Sequence, residues 1–259
     1  METDFEDVYR KNYDMLYKLS YRLTGNKEDA EDLLQEAFLN ACAAYPKFEN
    51  KSKVSTWLYR IVLNSAYKGM KKLKRLPIYD IAPRYNMTKD EFFERLKTYE
   101  PVENEVLTSC MREQCLQLFL KCMPVKQRTA FVLKVLLDLS YEDTAAIMET
   151  SIGAVKNNVY RARLRMKENM EDKCSYINPD SPCRCKNWVA YAIENNKISM
   201  IPSLKLEKEL DYNLIFEKEM DFLSRLVFLY NRYPEGESFE IFIKRMKDII
   251  SEKSLKILS

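Results

Sequence analysis

Histidine is absent from all 259 residues, glycine occurs only four times, and no apolar run is long enough to cross a membrane. Without histidine the commonest general base is missing, and Ser-His and Cys-His nucleophile pairs are excluded. Neither a glycine-rich phosphate loop nor a paired-carboxylate motif takes its place, so the chain is not expected to be an enzyme. A spanning helix needs roughly 18 apolar residues, and the opening METDFEDVYR lacks the basic start and apolar core of a signal segment. No membrane insertion and a cytoplasmic location are therefore expected. Few glycines, together with 42 Lys and Arg and 39 Asp and Glu, indicate helices with few hairpin turns.

What is present is ordinary in amount and informative in placement. The length allows roughly two domains of about 100 to 150 residues, and 46% hydrophobic content suits packed globular folding. A net charge of +3 names no partner. Yet Glu28, Asp29, Glu31, Asp32 and Glu36 crowd one stretch, while Lys68, Lys71, Lys72, Lys74 and Arg75 crowd another. Segregated charge of opposite sign implies two different partners.

Helical spacing organises the first 75 residues. Phe5, Val8, Tyr9, Tyr13, Leu16 and Leu19 form one stripe that ends at Gly25, a C-terminal cap, and Asn26 can cap the next helix. Ala30, Leu33, Leu34, Ala37, Phe38 and Ala41 form the second stripe, leaving Glu28, Asp32, Gln35 and Glu36 largely outside until Pro46 stops the pattern. After a polar loop from Lys47 to Val54, Ser55 is expected to cap a third helix that starts aromatic and grows basic. From Leu76 to about Glu105, with Pro77, Pro83 and Pro101 and only a weak helical patch at Glu91 to Lys97, the chain reads as a linker. A second helical domain begins near Val106. Beyond Lys173 lies a smaller third unit with a helical tail.

Leu139 to Lys167 is written as a helix-turn-helix. Ser140 with Asp143 makes a capping box, Ser151 is placed to cap the second helix, and Ile152, Val155, Val159, Ala162 and Met166 share one face. The other face carries Ser151, Ala154, Asn157, Asn158, Arg161 and Arg165. Small and amide residues near the helix start suit base edges in a major groove, and arginines farther along suit phosphates.

Four segments in order carry a resemblance: GNKEDAEDLLQEAFLNA, then FENKSKVSTWLYRIVLNSA followed by basic residues, then LSYEDTAAI, then SIGAVKNNVYRARLRM. Together they resemble the extracytoplasmic-function group of the bacterial sigma-70 family, promoter-recognition subunits of RNA polymerase, over about Phe5 to Met170. The fold this implies is all-α: two small helical domains joined by a flexible linker, the second a helix-turn-helix, plus a helical C-terminal extension. The expected boundaries are 1–75 for sigma region 2, 76–105 for the linker, 106–172 for region 4 and 173–259 for the cysteine-bearing extension.

By that resemblance Asp32, Leu33, Gln35 and Glu36 dock on the clamp helices of the largest polymerase subunit. An acidic patch on a DNA-binding protein repels phosphate, so a basic protein helix is its natural complement. The minus-ten element falls to Phe48, Asn50, Lys51 and Lys53 with Trp57, Tyr59, Arg60, Asn64, Lys68, Lys71 and Lys72. Aromatic faces stack on extruded bases for about 1 to 3 kcal/mol each, and lysines hold the separated strand. Tryptophan is more often core, so Trp57 is expected to pack, and Tyr59, Arg60 and Asn64 matter only if exposed. The minus-thirty-five element falls to Ser151, Ala154, Lys156, Asn157, Asn158, Arg161 and Arg165. Many relatives are basic where this chain has Asn158, so an amide contact replaces a charged grip there. Core polymerase and promoter DNA are the implied partners, and an anti-sigma factor is left open.

Seven cysteines are present. Cys110, Cys115 and Cys122 lie in an apparently helical segment and read as small buried hydrophobes. Cys174, Cys183 and Cys185 make a C-x8-C-x-C pattern that could hold zinc or act as a redox switch, but a fourth ligand is missing and would have to be a carboxylate, water or a distant cysteine. Ordinary reduced cysteines in a tight loop are the preferred reading, with zinc as the minor one. The competing function is a stand-alone helix-turn-helix regulator, which leaves the acidic helix and the aromatic, basic third helix unexplained.

Overall fold

The computed structural model describes residues 2–69, 78–171, 173–197, 222–230 and 236–257. Its helices are α1 (Glu2–Thr24), α2 (Lys27–Ala44), α3 (Val54–Gly69), α4 (Ile78–Ile81), α5 (Lys89–Leu96), α6 (Glu105–Cys122), α7 (Val125–Phe131), α8 (Tyr141–Ile147), α9 (Ile152–Met170), α10 (Cys185–Glu194), α11 (Phe222–Tyr230) and α12 (Phe239–Ile257). Among the described residues there is no strand, only an isolated parallel bridge between Cys174 and Cys183. The all-α class holds. Two compact units emerge: Met1–Met70 with Leu139–Val155 and Gly236–Ser259, and Lys71–Asp138 with Lys156–Glu235.

In the first unit the helix ends follow local chemistry. Gly25 takes φ 86°, a left-handed conformation that costs glycine little, and its N–H returns to the Tyr21 carbonyl at 2.8 Å. Asn26 then caps α2, its side-chain oxygen accepting from the Asp29 N–H at 2.7 Å. Pro46 sits in a 3-10 turn, Tyr45–Lys47, that ends α2. The third helix departs from expectation: it starts at Val54, with the Lys53 carbonyl accepting from the Trp57 N–H at 3.1 Å, so Ser55 lies inside the first turn instead of capping it.

The C-terminal helix supplies core to this unit. Phe239, Phe242, Ile243 and Met246 recur at helical spacing and are all buried. Phe242 stacks on Tyr9 at 5.9 Å and meets Phe38 edge-on at 5.4 Å, while Phe239 meets Tyr13 at 5.4 Å. Arg10 bonds Glu240 at 2.6 Å and Lys247 bonds Glu6 at 2.7 Å along the rim. Just before this helix, the backbone at Gly236 passes so close to Tyr17 that a Cβ would stand 2.6 Å from the ring.

The second unit corrects the linker reading. Thr88 and Glu91 form a complete capping box for α5, whose Phe92, Phe93 and Leu96 are buried with Tyr99, Ala190 and Tyr191. Three prolines hid this because they fall outside the eight residues of α5 itself. Phe92 meets Tyr191 edge-on at 5.5 Å, and the Asn187 amide donates to the Tyr99 carbonyl at 2.8 Å. Residues 78–105 are thus folded onto α10. In the same unit α7 runs on into a π-helical stretch, Val132–Leu136, and Tyr230 of α11 donates its hydroxyl to the Leu116 carbonyl at 2.7 Å.

Candidate functional site

Helix α2 presents its acids as the stripe requires. Asp32 and Glu36 are exposed and Gln35 is half-buried, but Leu33 is only 7% exposed. Leu33 belongs to the interior and is withdrawn from the docking set, because the same apolar stripe that carries Leu34 and Ala37 carries it inward. Glu36 receives Lys68 of α3 at 3.0 Å, an exposed pair worth little on its own.

The start of α3 and the loop before it form an aromatic and basic surface. Trp57 is half-buried, with Phe48 at 4.9 Å and Tyr45 at 6.1 Å, in keeping with a packing role at the edge of the fold. Tyr59 is buried, its hydroxyl pushed up to about 12 by desolvation, so it offers no surface for DNA. That removes it from the minus-ten set: Leu58, Val62 and Leu63 pull the same turns inward. Asn64 and Lys68 are exposed, as are Asn50, Lys51 and Lys53. Asn50 adopts φ 54°, the left-handed region that asparagine tolerates, and Lys51 pairs with Glu49. Lys71 and Lys72 lie outside the described residues.

Lys53 and Arg60 are engaged by α8 and the turn that follows it, in the same compact unit. The Lys53 ammonium donates to both Asp143 carboxylate oxygens at 3.3 Å. Arg60 donates to the Ala146 carbonyl at 2.8 Å and pairs with Glu149 at 3.4 Å. No sequence signal identified Asp143, Ala146 or Glu149 as partners of these cations, because the pairing spans some 86 to 90 positions of chain.

The helix-turn-helix forms where expected. Ser140 accepts from the Asp143 N–H at 2.9 Å, and Asp143 in return accepts from the Ser140 hydroxyl at 2.9 Å instead of from its backbone. Glu149 turns the chain with φ 49°, and Thr150 N–H closes on the Ala145 carbonyl at 3.0 Å. Since a left-handed non-glycine residue is strained, Glu149→Gly is expected to raise stability by about 0.5–1 kcal/mol, measured as a higher urea midpoint at unchanged slope. Ser151 caps α9 through the Ala154 N–H at 3.1 Å. Val155, Val159, Ala162 and Met166 are buried, and Ser151, Lys156, Asn157, Arg161 and Arg165 are exposed, with Ala154 and Asn158 half-buried.

Two further residues on that helix were not singled out by the sequence. Tyr160 is 66% exposed and Leu164 44% exposed. They sit four residues apart beside the Asn157 and Arg161 row, and that spacing was the available signal. An outward aromatic and leucine beside amides suit apolar contact with base or sugar edges.

All seven cysteines are free, and among the described residues no three His, Cys, Asp or Glu side chains stand ready as a metal site. No helix among them is long and apolar enough to cross a membrane.

Comparison with known proteins matches residues 8–76 to sigma-70 region 2 and residues 113–166 to sigma-70 region 4. The ECF RNA polymerase sigma factor SigW of Bacillus subtilis is 30% identical over 173 residues, covering 65% of this chain and 88% of that protein. The RNA polymerase sigma-H factor of Pseudomonas aeruginosa is 32% identical over 164 residues, covering 61% and 82%. The ECF sigma-E factor of Escherichia coli K12 is 33% identical over 135 residues, covering 52% and 70%. Among solved structures, the sigma factor RpoE in complex with the anti-sigma factor NepR from Bartonella quintana aligns with a TM-score of 0.44 at 24% identity, over 64% of this chain and 95% of that one.

Proposed function

The chain belongs to the extracytoplasmic-function sigma factors of the sigma-70 family, and on that premise we propose that it binds core RNA polymerase, recognises promoter DNA and promotes strand opening, without covalent catalysis of its own. Its place of action is the cytoplasm, with the polymerase. The observation that carries the reading is the separation of charge: exposed acids on α2, exposed lysines on the loop before α3, and an exposed amide and arginine row on α9. Opposed surfaces of this kind bind a basic protein helix and an anionic duplex without competing.

Residues 1–75 are assigned to polymerase docking, through Asp32, Gln35 and Glu36, and to the minus-ten element. Lys51, Lys53 and Lys68 grip phosphates there, Arg60 and Asn64 offer donors, and Phe48 and Trp57 form the aromatic edge that unpaired bases can stack on. Residues 106–172 are assigned to the minus-thirty-five element, with Ser151, Ala154, Asn157 and Asn158 toward base edges and Lys156, Arg161 and Arg165 toward phosphates.

Lys53 and Arg60 must exchange Asp143, Glu149 and the Ala146 carbonyl for DNA. Exposed ion pairs are worth about 0–1 kcal/mol each, so a strand of phosphates displaces them readily. A stand-alone regulator needs only α8 and α9 and gives no role to the acids of α2.

Promoter-specific transcription by purified core polymerase, with and without the chain, tests the reading; no stimulation on any candidate promoter sinks it. Within it, Arg161→Ala is expected to weaken promoter binding about tenfold and to lower the salt slope by about one, read by DNA-binding titrations at several salt concentrations. Undiminished binding and transcription would remove Arg161 from the groove.

A further inference from the structure

A cluster of thiols in the second unit remains without a role. We propose that Cys115, Cys174, Cys183 and Cys185 together form a four-thiolate site for zinc, tying α6 to the loop that leads into α10. The C-x8-C-x-C pattern lacked a fourth ligand, and the fold supplies Cys115.

The loop brings two of the sulfurs side by side. Cys174 and Cys183 form a parallel bridge, with the Cys183 N–H donating to the Lys173 carbonyl at 3.0 Å and the Ser175 N–H to the Cys183 carbonyl at 3.1 Å. Cys185 is the first residue of α10 and packs in an apolar cluster with Cys110 and Met111 of α6. Cys115 follows Met111 by four residues and therefore shares that helix face. Electrostatic coupling links all four: Cys115 feels Cys183, Cys185 and Cys174, and Cys185 feels Cys174 and Cys183.

One donor is already aimed at a sulfur. The Trp188 indole N–H donates to the Cys183 Sγ at 3.2 Å, while the Ile177 N–H closes the loop on the Cys174 carbonyl at 2.9 Å. Arg112, itself 5% exposed, lowers the cost of charge on Cys174 and Cys185 and donates to the Tyr176 hydroxyl at 2.9 Å. Neutral thiols gain little from such donors, whereas metal-bound thiolates are typically held by them.

Burial first and mutual repulsion second push Cys115, Cys183 and Cys185 up, and burial does the same to Cys174. Among the described residues the sulfurs do not yet stand as a formed metal site, so they must draw together on binding. A divalent cation removes the repulsion: M2+ and four Cys–SH give a tetrathiolate complex of charge −2 and release four protons. Arg112, the Trp188 indole N–H and the start of α10 offset that charge. With bonds of about 2.3 Å the sulfurs draw in to about 3.8 Å from one another. An all-sulfur tetrahedral set selects zinc over magnesium, calcium or manganese, and affinity falls as pH drops because protons compete.

The full chain, purified under reducing conditions without chelator, is expected to carry one zinc by elemental analysis. Cobalt exchanged into it is expected to show sulfur-to-metal charge transfer and the intense visible bands of a tetrahedral site. Cys115→Ser should weaken metal binding by more than the about 10- to 100-fold that a lost outer-shell partner costs, whereas Cys42→Ser should leave it unchanged. Should the serine variant fail to fold, chelation of the unmodified chain gives the same answer through a lowered Tm that zinc restores. The proposal is overturned by metal-free protein that takes up no added zinc, by iron in its place, by cobalt spectra indifferent to Cys115→Ser, or by a Cys174–Cys183 disulfide forming with no metal bound at any stage.

Discussion

Phe242→Ala is expected to cost about 3–5 kcal/mol of stability, more than any surface change in the chain. Phe242 has no exposed surface and touches three aromatic rings from α1 and α2: Tyr9, Tyr13 and Phe38 at 5.9, 5.1 and 5.4 Å. Truncation leaves a ring-sized void among side chains that cannot collapse to fill it, so the transfer and cavity terms add. Ile241→Ala, one residue away and 60% exposed, should stay within about 0.5 kcal/mol. Urea unfolding of both variants checks this. Equal midpoints would mean that α12 is not part of the core of the first unit. A confirmed difference makes α12 a structural member of the first unit, so a chain cut before Phe239 should lose stability before it loses any specific contact.

Reversal of charge at two positions, Asp32→Lys with Glu36→Lys, is expected to weaken binding to core polymerase by more than about 100-fold, since like charges brought together at an interface cost several kcal/mol. Both side chains are exposed, so the fold should be spared, although Lys68 loses its partner at 3.0 Å. DNA binding by the chain alone should be retained, because removing acids weakens no phosphate contact. Pull-down with core enzyme and parallel promoter binding separate the two effects. Full transcription from the reversed variant would refute the docking assignment, and loss of both activities together would indicate misfolding.

The site was legible wherever periodicity decided it. The α9 stripe of Val155, Val159, Ala162 and Met166 is buried as its spacing demanded, which places Asn157, Arg161 and Arg165 in solvent. Two assignments failed for one reason. Leu33 and Tyr59 were placed on binding surfaces by family likeness, yet each sits on the apolar side of its own helix, and the physical pattern prevailed. The stretch read as a linker failed differently: an eight-residue helix between prolines has too few turns to declare itself, and burial against α10 stabilises it.

The sequence by itself determined the long helices, the caps at Gly25, Asn26, Ser140 and Ser151, and the sign of charge on each face, because these depend on residues within a turn or two of one another, and four segments in order carried the family. Only the tertiary structure decided that α12 completes the core beside Tyr9 and Phe38, that Asp143 and Glu149 occupy Lys53 and Arg60, and that Cys185 packs beside Cys110 and Met111 of α6. Contacts between residues so far apart leave no periodic trace in the chain; they exist only after apolar faces have chosen one another and the intervening loops have closed.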